Sequence, residues 1–185
     1  MGIFSKRLPQ RNEIISVFGV VIFVVCSWSV REFLYKIPAF VLYYSVWEIF
    51  SVFSYMMAFA LLESTAVTIL LIVSAFVLPS KLLKEGFAYK GFLAVIIASV
   101  LSIWLQGNLV NEFPSRSLLL EGAGSSLAIF ILLSFLFHKV VFLQNIVIAL
   151  VDRLGILMYL YVPLGVLGIL VYLLRNLLNV IHTIG

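Results

Sequence analysis

The chain has 185 residues, 64% of them hydrophobic and 11% charged, with a net charge of +4 and a mean hydropathy of +1.21. Water-soluble domains are about 45–50% apolar and about 25% charged, so a soluble fold of this size could not hide so much apolar surface. The basic residues stand singly between apolar runs, as membrane-flanking anchors do, and no nucleic-acid partner is expected.

The expected architecture is therefore all-α: one polytopic membrane domain over residues 1–185, with no soluble domain. A spanning helix takes about 20 mainly apolar residues. The first candidate is Ile14–Val30, preceded by the basic stretch "MGIFSKRLPQRNE". It has no small-residue cleavage site after it, so it reads as a retained helix rather than a signal peptide. Cys26 lies within it as the single cysteine, expected as a small buried hydrophobe. The second candidate is Ile37–Leu62, opened by Pro38 in the tolerated first turn. The third, Thr65–Ser80, ends at Pro79. The fourth runs from Gly91 to about Val110, and the fifth lies between Leu118 and Val151, interrupted by His138 and Lys139. The sixth is Leu154–Leu174. The short gaps Glu63–Ser64 and Asp152–Arg153 imply antiparallel neighbours.

This gives about six hydrophobic helices. The positive-inside rule favours a different count of crossings. Six simple crossings with the N-terminus inside put Lys6, Arg7, Arg11, Arg116 and Arg175 inside and the other seven Lys and Arg outside. If one limb of the pair 37–62 and 65–80 is re-entrant or interfacial, leaving five crossings, the inside instead holds eight of the twelve. No internal repeat of the secondary-transporter kind is visible.

Glu48 is the sharpest candidate for chemistry. In a helix opening at Ile37 it lies roughly 16–18 Å deep, where an ionised carboxylate costs on the order of 2.5–3.5 kcal/mol. Helical spacing puts Tyr44, Ser51 and Tyr55 on its face, with hydroxyls able to hydrogen-bond the acid. A proton- or cation-handling carboxylate and a neutral helix cross-link are the two readings. Glu63 reads as a turn or cap before the third helix. His138 and Lys139 either end the fifth helix or sit near mid-membrane, where they would be partner charges for Glu48. Lys81, Lys84 and Lys90 suit phospholipid headgroups or ordinary anchoring. Pro163, with Gly165 and Gly168, reads as close packing or as a hinge. Two histidines and no His-Glu-x-x-His spacing give no metal centre, and no cofactor motif is present.

Three functions compete. The first is a non-enzymatic membrane subunit, with the lipid bilayer and other membrane protein subunits as partners. The second is a transporter or channel component using Glu48. The third is an enzyme acting on lipid-linked substrates at the interface, using Glu112, Glu121, Arg116 and the lysines of residues 81–90.

Overall fold

The computed structural model describes residues 9–78, 83, 86–108 and 115–184, with the side chains of residues 108, 138 and 176–184 outside the description. Among the described residues the chain forms six helices: α1 (Arg11–Tyr43), α2 (Val46–Val77), α3 (Phe87–Asn108), α4 (Arg116–Lys139), α5 (Val141–Gly155) and α6 (Met158–Ile184). All but α5 are long and apolar enough to cross a membrane. The chain is a multi-pass helical bundle.

The helix boundaries differ from the sequence expectation at both early breaks. Residues 31–36, expected to close the first helix, continue it, because Arg31, Glu32, Leu34 and Lys36 are all compatible with helix. Pro38 lies inside α1 rather than opening a second helix, and it removes one backbone bond there. The chain turns instead at Tyr44 and Ser45, both in extended conformation. The expected turn at Glu63–Ser64 does not exist. The hydroxyls of Ser64, Thr65 and Thr68 donate to the carbonyls of Ala60, Leu61 and Ser64 at 2.7–2.8 Å, so polar side chains that favour turns in water are satisfied within the helix. Residues 37–43 of the expected second helix thus end α1, and the described remainder of the two expected limbs from residue 46 to residue 77 is one continuous α2.

α1 lies at the centre of the bundle and packs on α2, α3, α5 and α6. One core surrounds Val17, Val20, Val21, Phe87, Leu93, Val147 and Val151, and a second surrounds Ile22, Cys26, Met57 and Ala60. Cys26 is buried, as a small core hydrophobe. α2 and α6 meet at close range: a side chain added at Gly165 would meet Leu61, and one at Gly168 would meet the backbone of Ser54 and Ala58. Small residues allow this approach where lipid supplies no hydrophobic drive between helices.

α5 and α6 form one limb with a break inside it. Ser16 donates to Asp152 at 3.3 Å, Gly19 faces Gly155, and Met158 and Tyr161 pack in the cluster of Ile22 and Cys26. These contacts advance together along both partners, so the limb runs parallel to α1. The expected gap at Asp152–Arg153 is helical, and the discontinuity falls at Ile156–Leu157. There the N–H groups of Ile156, Leu157, Tyr159 and Leu160 bond carbonyls three residues back, the tighter pattern of a 3₁₀ turn.

Candidate functional site

The hydrogen bonds of the Glu48 side chain among the described residues go to Ser45, not to Tyr44, Ser51 or Tyr55. Glu48 is the third residue of α2, not the middle of a helix, because the chain turns at Ser45. The N–H and Oγ of Ser45 donate to Glu48 Oε2 at 2.8 and 2.9 Å, and the Glu48 N–H donates back to Ser45 Oγ at 3.4 Å. This is a reciprocal capping box. Of the expected partners, Tyr44 lies in the turn before the helix, its N–H bonded to the Phe40 carbonyl. Ser51 donates to the Trp47 carbonyl at 3.0 Å. The Tyr55 ring meets Tyr172 edge-on at 5.5 Å and lies under the Arg175 guanidinium at 5.8 Å. Glu48 is a helix cap at the tip of a hairpin, with Oε2 taking both bonds from Ser45.

The mid-helix carboxylate is Glu63. It stands roughly 21–25 Å from either end of α2, at ~1.5 Å per residue, and takes neither the turn nor the cap expected of it. It lies at the open edge of a notch of about 300 Å³ between α1, α2 and α3, lined also by Val24, Val25, Trp28, Ser29, Ser99, Ser102, Ile103 and Gln106. Ser99 and Ser102 donate to the carbonyls of Val95 and Ala98 at 2.8 and 2.9 Å. Their protons are thereby committed to the helix, and their oxygens remain as acceptors. Arg31, above the notch, lies over the Trp28 ring at 4.8 Å and 3.8 Å from Glu32.

A second cavity, about 420 Å³, lies on the other side of α3 against α4. Apart from Ser125 and Ser126 its walls are apolar, including Ile96, Val100, Trp104 and Leu133. It is a mainly apolar groove.

The remaining candidates separate. α4 ends at Lys139, which lies over the Phe135 ring at 4.7 Å, so the end-of-helix alternative is the observed one and "EGAGSS" is helical. The His138 side chain is outside the described residues. Lys139 is at the opposite end of the bundle from Glu48 and is not its partner. Lys81, Lys84 and Glu112 also lie outside the described residues. Lys90 is 4% exposed, held beside the Tyr89 ring at 5.6 Å, and is not a projecting headgroup contact. It opens α3, whereas Arg116 and Glu121 open the antiparallel α4, so these acids and bases do not share one membrane face. Pro163 lies within α6, past the actual discontinuity, and Gly165 and Gly168 are contact points with α2. Among the described residues no group of His, Cys, Asp and Glu is placed to hold a metal ion.

Sequence reasoning missed Ser29, Ser99, Ser102 and Gln106, which carry no motif and meet only through packing. Glu63 carried one usable signal: "LLESTAVTIL" contains no Gly, Pro or Asn to make a turn. No family model, curated protein or solved structure matches the chain.

Proposed function

We propose that this chain is a non-enzymatic membrane subunit that assembles with other membrane proteins through its α1–α2 hairpin. The supporting observation is a hairpin too long for a bilayer and apolar beyond it. α1 and α2 have 33 and 32 residues, about 50 Å each at ~1.5 Å per residue, against a hydrocarbon core of about 30 Å. A tilt absorbing that excess would be roughly 53°, outside the observed range of about 0–40°. The excess falls beyond Arg31, where Tyr35, Leu42, Tyr43, Val46 and Trp47 are 77–84% exposed. Large aromatic and aliphatic groups of this kind make the buried centre of protein interfaces.

Purification of the full chain from its native membrane in mild detergent tests this reading. A co-purifying membrane protein is expected, released by the pair Tyr43→Ala and Trp47→Ala while the chain stays folded. A solitary monomer under every mild condition contradicts it.

A further inference from the structure

The notch at Glu63 has a chemistry that the hairpin does not use. Its polar lining offers acceptors in a carboxylate and in the hydroxyl oxygens of Ser99 and Ser102, whose protons are already committed, while Ser29 and Gln106 can accept or donate. Among the described residues no hydrogen bond or ion pair engages the Glu63 side chain, and the nearby Arg31 is directed to Trp28 and Glu32. An anion has no cation to meet there. An ammonium group, with three donors and no acceptor, complements that lining. Volume separates organic ammonium from a bare metal ion: about 300 Å³ is roughly ten times the share of one liquid water, about 30 Å³. The remaining wall is Val24, Val25, Trp28 and Ile103, suited to hydrocarbon. Glu63 is at the exposed edge of the notch, on the outside of α1, α2 and α3, so the ligand enters from the lipid side.

We infer that the notch binds the ammonium group of an amphiphile. Glu63 neutralises the charge, the Ser99 and Ser102 oxygens beside it are acceptors for the N–H groups, and the apolar wall covers the attached chain. The same chemistry has two sources, the ammonium of phosphatidylethanolamine or a free amphiphilic amine. This inference is independent of the hairpin's partner.

The test uses the full chain with Trp47→Phe and Trp104→Phe, which leaves Trp28, in the notch wall, as the only tryptophan. In phosphatidylcholine nanodiscs, dodecylamine and dodecanol are titrated against Trp28 emission. Saturable binding of the amine at least tenfold tighter than the alcohol is expected, with the preference abolished by Glu63→Gln. The pair Ser99→Ala and Ser102→Ala, a second variant that keeps the carboxylate, should weaken the amine several-fold. Replacing part of the phosphatidylcholine with phosphatidylethanolamine distinguishes the sources. Competition with dodecylamine assigns the site to the lipid headgroup, and undiminished dodecylamine binding assigns it to a free amine. Equal affinity for amine and alcohol, or a preference that survives both variants, overturns the inference.

Discussion

Glu48 and Glu63 share one helix and one residue type, yet their surroundings are opposite. Glu48 is at the hairpin tip, and its carboxylate takes two hydrogen bonds from Ser45. Glu63 is mid-helix, facing a notch whose serines have given their protons to the backbone. The difference comes from where the chain turns. A turn at Ser45 makes the first acid a helix cap and leaves the second with no local role. A carboxylate satisfied by its own turn needs no ligand, whereas one held mid-helix among acceptors calls for a cation or a proton.

Four substitutions sharpen that contrast. The largest effect is expected from Gly168→Leu, because α6 crosses α2 between the two acids and the added side chain meets the backbone of Ser54 and Ala58. Overpacking of this kind costs about 1–3 kcal/mol or more, measured by unfolding in detergent, and a neutral result would mean that α6 does not hold α2 there. Glu63→Leu comes next and has the opposite sign. Removing a mid-helix charge should favour insertion by on the order of 2–3 kcal/mol in a translocon insertion assay, while Glu48→Leu brings no comparable gain.

Ser45→Ala should destabilise the hairpin by about 1 kcal/mol through loss of the N-cap, read as faster hydrogen exchange confined to the first turn of α2. Exchange unchanged there would argue that the capping box is not what stops α1 from running on. Ser134→Ala gives the smallest effect. Ser134 Oγ is buried with no hydrogen-bond partner among the described residues, so its removal should be within about 0.5 kcal/mol of neutral or stabilising. A large loss would reveal a partner and a second polar contact inside the bundle.

The helical membrane class was legible from composition, because only a bilayer accommodates so apolar a chain. The count of six helices agrees, but through two offsetting differences: three expected stretches form α1 and α2, and the fifth divides into α4 and α5. Ser, Thr and Glu mark turns and caps in water, and reading "LLESTAVTIL" by that rule placed a turn where the hydroxyls instead bond back to the helix. Proline misled in the same way: Pro38 suits a first turn, yet it lies inside α1. The capping box itself was visible as Ser45-x-x-Glu48, the Ser-x-x-Glu signature before an apolar run. With a second helix expected from Ile37, that signature falls mid-helix and marks no start. Site chemistry was less legible than fold because the notch joins side chains from three helices. No local pattern brings Ser29, Glu63 and Ser102 together.

The most direct test of the account is cysteine accessibility along α2. In a Cys26→Ser background, single cysteines at Ser45, Glu63 and Leu78 are challenged with a bulky membrane-impermeant maleimide from each side. The account predicts that positions 45 and 78 react from opposite sides and that position 63 reacts from neither. Labelling of 45 and 78 from the same side, with 63 labelled from the other, would restore the turn at Glu63 and contradict it.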